Sequence, residues 1–218
     1  MTLICIFLGV PGSGKGTQAN RISKQFGMAQ LSTGDLFREA LKNDPNGKLA
    51  KIVSAGDLVP DEMVLELVKR TLKSKGDYSK GIIFDGFPRT IKQADALKEI
   101  VREMGAKIQV ILLELGLEKA IRRISGRRIC SQCAMVYHLP NHLPKEEGIC
   151  DHCGADLISR ADDTEEKIKK RHHVYLESTL PLVGYYKNHL VRVDASQVPD
   201  DVYRNVEKCM KAMANDQT

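Results

Sequence analysis

Gly9-Val10-Pro11-Gly12-Ser13-Gly14-Lys15-Gly16-Thr17 decides the reading of this chain. An apolar run, Leu3-Ile4-Cys5-Ile6-Phe7-Leu8, stands directly before it, and a helix-compatible segment, Gln18 to Phe26, directly after. Strand, glycine loop and helix in that order are the context in which a backbone can wrap a phosphate. The glycines let successive N–H groups turn toward one anion, and the new helix adds its positive end to the same spot. Lys15 then reaches outer phosphates as a point charge. A plain glycine-rich turn between strand and helix is the competing reading. The loop departs from the general pattern at Gly16, where Ser or Thr usually follows the lysine. Thr17 brings a hydroxyl one residue later.

Working outward, 218 residues suit one domain carrying small insertions. Apolar residues at 42% and charged residues at 28% fit a soluble globular chain. No apolar stretch approaches the roughly 18 residues of a membrane span. The apolar start lacks a basic leader, and a glycine loop stands where a cleavage site would, so a cytoplasmic location is expected. The net charge of +5 favours anionic partners, and nucleotides satisfy it as well as nucleic acid does. There is no Trp, and the few aromatics are not interleaved with basic residues, which argues against a stacking platform for single strands.

Lys80 to Gly86 reads as a second buried strand ending in Asp85, and Ile108 to Leu115 as a third. Val191 to Asp194 is a short fourth, and Ala29 to Ser32 an edge strand. Helical patterns fill 15–26, 34–43, 48–55, 61–74, 91–104, 117–126, 163–187 and 199–213, with Asp61, Thr90 and Asp163 as expected N-caps. Strands alternating with helices imply a parallel sheet covered on both faces, with ligands bound beyond the carboxyl ends of the strands. The glycine loop and Asp85 both fall there. Residues 34–75 hold three helical patterns in succession, and residues 129–160 hold turn residues, prolines and four cysteines. Both read as insertions at the binding edge.

Cys130-Ser131-Gln132-Cys133 and Cys150-Asp151-His152-Cys153 are two C-x-x-C pairs. That spacing reads as a closed structural zinc site of four thiolates, with no position left for water or substrate. A disulfide reading is poor for a cytoplasmic chain, and a redox C-x-x-C is disfavoured by the presence of two pairs at ribbon spacing. Zinc and iron are not distinguished. His138, His142 and His152 read as solvated loop histidines, His172 and His173 as surface or packing residues, and Cys5 and Cys209 as small apolar side chains. An insertion this short cannot bury enough apolar area to fold alone, and metal binding can supply that free energy.

Six arginines stand beside motif glycines or at the ends of the cysteine segment: Arg38, Arg89, Arg123, Arg127, Arg160 and Arg171. Taken with Gly9 to Thr17, Ser32-Thr33-Gly34-Asp35, Asp85 to Arg89 with Thr90 and Gln93, Gly126-Arg127-Arg128, and Ser159-Arg160-Ala161-Asp162-Asp163, they resemble the adenylate kinase family. The match runs almost end to end and is similar to the long, zinc-bearing bacterial form. The resemblance implies an α/β, three-layer P-loop fold with a parallel five-stranded sheet. It implies a core over 1–31, 62–123 and 162–218, a helical AMP-binding insertion over 32–61, and a small zinc-ribbon lid over 124–161.

Carried over by position, the resemblance implies a site as follows. Gly12, Ser13, Gly14, Lys15, Gly16 and Thr17 hold ATP phosphates, with Arg123, Arg127, Tyr137, His138 and Gln197 also on the ATP side. Thr33, Arg38, Asp57, Leu58, Val59, Gly86, Arg89 and Gln93 form the AMP pocket, shared with Arg160 and Arg171. Lys15, Arg89, Arg127, Arg160 and Arg171 are the catalytic set, and Asp85 anchors Mg²⁺ through water. The implied reaction is reversible transfer from ATP to AMP giving two ADP, by a monomer, with Mg²⁺ and structural Zn²⁺ as cofactors. Two details depart from the pattern. Ala134 stands where relatives often have Gly, which strains that knuckle, and Asp57 stands where a lysine is frequent. No general base is needed when the acceptor is an ionised phosphate. Gly126 and the Ser159-Arg160-Ala161 turn are the hinge candidates. The rival readings are a kinase for another monophosphate, a GTP-using AMP kinase, and a zinc-ribbon nucleic-acid-binding NTPase.

Overall fold

The computed structural model describes residues 2–44, 47–55, 57–74, 77–139, 143–160 and 162–215. His142 and Ala161 lie outside the described residues. The chain opens with β1 (Leu3–Gly9), α1 (Lys15–Phe26), β2 (Ala29–Ser32), α2 (Thr33–Asn43), α3 (Lys48–Ser54) and α4 (Asp61–Ser74). It continues with β3 (Ile82–Asp85), α5 (Ile91–Glu103), β4 (Lys107–Glu114) and α6 (Leu117–Ser125). Three short strands follow, β5 (Arg127–Cys130), β6 (Val136–His138) and β7 (Leu157–Ile158). The remainder is α7 (Glu165–Val174), α8 (Pro181–Tyr185), β8 (Leu190–Asp194) and α9 (Pro199–Asn215).

Five strands form one parallel sheet in the order β2-β3-β1-β4-β8. The period-2 geometry of β1 explains the layers. Ile4, Ile6 and Leu8 point to one face and join Ile82, Phe84, Val110 and Leu112 against Val64, Val68, Ala94 and Leu97 of α4 and α5. Cys5 and Phe7 point to the other, with Ile83, Ile111 and Leu113, against Ala19 and Ile22 of α1 and Val202, Val206 and Met210 of α9. A strand buried on both faces reads as a continuous apolar run, which is why β1, β3 and β4 were legible. β1 is central, with β3 on one side and β4 on the other, so the loop leaving it sits where the strand order diverges.

The cysteine segment forms a separate antiparallel ribbon, β6-β5-β7. Its interior is small: Cys130, Cys150 and Tyr137 are buried, with Ala155 and Leu157 packed against them. The helix expected over 163–187 is three pieces. Leu180 N–H reaches Tyr175 C=O at 2.9 Å, closing a wide turn over Tyr175–Thr179 between α7 and α8. Pro181 supplies the reason, because it has no N–H to return to Glu177. Asp163 is not the N-cap of α7; Thr164 holds that position. Asp61 falls inside the first turn of α4 rather than capping it. Thr90 does cap α5, its hydroxyl accepting from the Gln93 N–H.

Candidate active site

The loop between β1 and α1 curls back on itself, with Gly12 and Gly14 in the left-handed region. Lys15, at the first turn of α1, donates to the C=O groups of Gly9 and Val10 at 2.7 and 2.9 Å. Ser13 is buried, and its Oγ has no hydrogen-bond partner. The Gly16 position is explained by Asp85 at the end of β3. A Cβ on residue 16 would stand 3.1 Å from Asp85 Oδ2. Glycine after the lysine therefore keeps the carboxylate uncrowded. Burial lowers the Lys15 pKa to about 8; Asp85 works in the opposite direction, and Arg89, Arg171 and Arg127 add to the fall. Burial likewise raises Asp85, against the pull of Lys15.

Beside the loop lies an open cleft of about 660 Å³. Thr33, Arg38, Asp57, Leu58, Val59, Gly86, Arg89, Gln93 and Arg171 of the expected pocket all line it, together with Phe37 and Asp162. Thr33 Oγ1 donates to the Gly86 C=O at 2.9 Å, and Arg89 Nε donates to the same oxygen at 2.9 Å. The main chain of Arg89 is held at both ends: its N–H donates to Gln93 Oε1 at 2.8 Å, and its C=O accepts from Thr179 Oγ1 at 3.0 Å. The Asp57 carboxylate turns away to Lys170, 2.7 Å distant, which leaves its main chain for the cleft.

Arg127 and Arg171 converge on Asp162 and Asp163. Arg127 Nε donates to Asp163 Oδ2 at 2.8 Å and its terminal nitrogen to Oδ1. Arg171 donates to Asp162 Oδ2 at 2.8 Å and stands 3.5 Å from Asp163. Arg160 has no such partner for its Nε, which is buried and unbonded. Burial brings the Arg160 pKa down to about 10, and Arg127 and Arg38 add to the effect. Burial also lowers Arg89 and Arg171, and neighbouring arginines contribute in both cases. Guanidinium groups crowded closely enough to depress one another form a site short of negative charge.

Arg123 donates to the Gln197 C=O at 3.2 Å, so these two expected ATP-side residues meet. His138 is not a solvated loop residue. Both ring nitrogens are buried, and desolvation lowers the pKa; the backbone at Arg123 works in the opposite direction, and the charges of Arg123 and Arg127 add to the fall. Its neighbour Tyr137 points into the ribbon core and is 2% exposed. The Tyr137 hydroxyl donates to Cys150 Sγ at 3.6 Å and accepts from the Asp151 N–H at 2.8 Å. Contact from Tyr137 to a nucleotide is therefore restricted to its main chain.

The sulfur atoms of Cys130, Cys133, Cys150 and Cys153 all lie within 4.8 Å of one another. Cys130 and Cys153 are 3.3 Å apart and Cys133 and Cys150 are 3.5 Å apart, so the thiols are unbonded. Four thiolates about 2.3 Å from one zinc stand about 3.8 Å from each other. The donor set and spacing fit that metal. Burial pushes Cys150 up, yet the Tyr137 hydroxyl and backbone N–H groups outweigh it and bring the thiol down to about 6.

Several contributors escaped sequence reading. Asp61, Asp163 and Thr179 hold Gln93, Arg127 and Arg89 in place across 32, 36 and 90 residues of chain, and Asp162 holds Arg171 across nine.

A phosphate loop, an adjoining cleft and a ring of arginines define a P-loop phosphotransferase with two anionic ligands. A sequence model described as "Adenylate kinase" matches residues 7–191. A protein named adenylate kinase from Caldicellulosiruptor saccharolyticus is 50% identical over 186 residues, covering 84% of this chain and 86% of that one. Another from Bacillus subtilis is 45% identical over 207 residues, covering 93% and 95%, and one from Archaeoglobus fulgidus is 44% identical over 211 residues, covering 94% and 97%. The chain belongs to the adenylate kinase family, phosphotransferases that convert ATP and AMP into ADP. No helix among the described residues is long and apolar enough to cross a membrane.

Proposed function

We propose that the named residues carry out the family reaction in two adjoining pockets, with ATP on the loop of β1 and AMP in the cleft lined by Thr33, Arg38, Gly86, Arg89 and Gln93. One observation carries this reading: burial and neighbouring cations, Arg38 and Arg127 among them, lower the pKa values of Lys15, Arg89, Arg160 and Arg171, with fewer carboxylates than cations to balance them. Two sets of phosphates placed end to end supply the missing charge.

Lys15 exchanges its two carbonyl partners for the outer phosphates of ATP, and the unspent Arg160 Nε and the Ser13 hydroxyl become donors to phosphate oxygens. Phosphoryl transfer spreads charge over equatorial oxygens, so catalysis is positioning and neutralisation. Arginine suits this because its fork is planar, always charged and bidentate. Arg127 and Arg171 are oriented by Asp162 and Asp163 before substrate arrives, which reduces reorganisation during transfer. Asp85, beside Gly16 and facing Lys15, would hold Mg²⁺ through water. Mg²⁺ bound there with ATP supplies further charge neutralisation on the outer phosphates. The cysteine cluster would hold a structural Zn²⁺ and has no open position for chemistry.

The same reading divides the chain into a core over 1–31, 62–123 and 162–218, an AMP-binding insertion over 32–61 and a lid over 124–161. Closing the two insertions excludes water, which would otherwise take the phosphoryl group. A cytoplasmic monomer is the form expected of the family. The donor base is the least specified feature, since His138, Arg123 and Gln197 together fix no particular base edge. A panel of monophosphates and triphosphates tests the assignment. ATP with AMP is expected to give the highest kcat/KM, and a stronger preference for another monophosphate would overturn it.

A further inference from the structure

Gln93 is 1% exposed and lines the cleft, and its amide is held by two partners of opposite sense. The Arg89 main-chain N–H donates to Oε1 at 2.8 Å. Nε2 donates to Asp61 Oδ1 at 2.7 Å, across 32 residues of chain. Asp61 is itself oriented, because Thr90 Oγ1 donates to the same carboxylate oxygen at 3.0 Å while accepting from the Gln93 N–H at 3.1 Å. A main-chain N–H can only donate, and an ionised carboxylate can only accept. These partners allow a single orientation of the amide. They leave it one lone pair on Oε1 and one N–H on Nε2 for whatever occupies the cleft.

That sense matters for the acceptor base. Adenine presents an exocyclic N–H donor next to a ring-nitrogen acceptor, the arrangement a glutamine amide reads with two hydrogen bonds. A 6-oxopurine places a carbonyl where adenine has its amino group, and on the Watson–Crick edge a ring N–H where adenine has an acceptor. Against it the fixed amide sets oxygen to oxygen and N–H to N–H. We propose that Asp61 is a specificity-determining positioning residue: by holding the Gln93 amide in one sense, it makes the cleft accept a 6-aminopurine monophosphate and reject a 6-oxopurine one. This rests on the reading above that Gln93 faces the acceptor base.

In Asp61→Asn the new side-chain amide can donate as well as accept, so the glutamine can turn over and pair with a 6-oxopurine. The remaining cost is the loss of its bond to the Arg89 N–H. The test measures kcat/KM for AMP and for IMP with ATP as donor, in the unaltered chain, D61N, Asp61→Ala and Gln93→Leu. Discrimination between the two acceptors is expected to fall about tenfold in D61N, on the scale of one paired base edge, and by less in Asp61→Ala, where only one of the two clamps is lost. The change should appear mainly in KM for the acceptor. Gln93→Leu separates the two ways to fail. If it leaves KM for AMP unchanged, Gln93 does not face the base, and both the reading and the proposal fall. If it raises KM for AMP while folded D61N and Asp61→Ala keep the original AMP-to-IMP ratio, the role of Asp61 alone is overturned.

Discussion

The central sheet and the cysteine ribbon solve the same problem by opposite means. The sheet buries two apolar layers, and every residue of β1 from Ile4 to Leu8 is 0–2% exposed. The ribbon buries two cysteines and one tyrosine, and leaves Met135, Val136 and Ile158 exposed at 37%, 38% and 47%. Removing apolar area from water stabilises by about 25 cal/mol per Å², so the ribbon's few buried atoms cannot offset the entropy of ordering its loops. Four sulfur atoms gathered within 4.8 Å take that part. The ribbon is thus a unit held at a cluster of four sulfur atoms fit for a metal, while the walls that fix the phosphate loop depend on packing.

Taking the metal away should break this contrast most sharply. Metal binding contributes on the order of 10 kcal/mol in isolated finger peptides. Chelation, or Cys130→Ser, is therefore expected to give an early melting transition confined to the ribbon, with the sheet's own transition little changed and measurable activity left. One coincident transition in both samples would show that the two regions do not differ as described. Next in size is Arg127→Ala, which removes the ribbon guanidinium paired with Asp163. A fall in kcat of about 10²–10³ is expected with far-ultraviolet circular dichroism unchanged, the scale of removing one preorganised donor. Near-normal turnover would take Arg127 out of the site.

The sheet's contribution can be examined by pH. Lys15 is held near 8 in the free protein. The kcat/KM for ATP should decline as pH rises through about 8, while kcat holds to higher pH because bound phosphates favour the charged lysine. The stability effect has the opposite sense. Between about 8 and the ordinary lysine value the folded chain binds fewer protons than the unfolded one, so this group's contribution to stability improves as pH rises across that window. A kcat/KM profile flat to pH 9.5 or so would contradict the lowered lysine. The smallest effect belongs to the ribbon's two knuckles. They share one hydrogen-bond pattern, Ala134 N–H to Cys130 C=O and Gly154 N–H to Cys150 C=O. Ala134 carries φ +58°, where Gly154 carries +73°, and it is the one non-glycine residue with positive φ among those described. Ala134→Gly should therefore stabilise the ribbon, by about 0.5–1 kcal/mol once glycine's greater unfolded freedom is subtracted, and raise its melting temperature. A loss of stability would show that the first knuckle is not strained.

What could be read in advance follows the same division. Local signals were sufficient for β1, its loop, β3 and β4, because a strand buried on both faces is written in consecutive residues. The two C-x-x-C pairs were equally plain. The wide turn at Tyr175–Thr179 was missed because the helical periodicity of 163–187 continues through it, and a single residue, Pro181, interrupts the bonding. Asp163 looked like a cap because a carboxylate before a helix usually is one; Arg127, thirty-six residues earlier, takes it instead. Asp61 failed as a cap for a related reason, its carboxylate going to Thr90 and Gln93. Gly126, read as a hinge, has an ordinary φ of −82°. A Cβ there would stand 2.3 Å from the Leu139 C=O, so its glycine answers to a close approach of two backbones. Long-range polar pairings of this kind leave no local pattern.

The most direct test is to incubate the metal-loaded protein with equimolar ATP and AMP and with Mg²⁺, and to follow ATP, ADP and inorganic phosphate together. The account predicts two ADP formed for each ATP consumed and almost no inorganic phosphate. Consumption of ATP with phosphate released in its place, or no ADP from a protein that still binds both nucleotides, would contradict it.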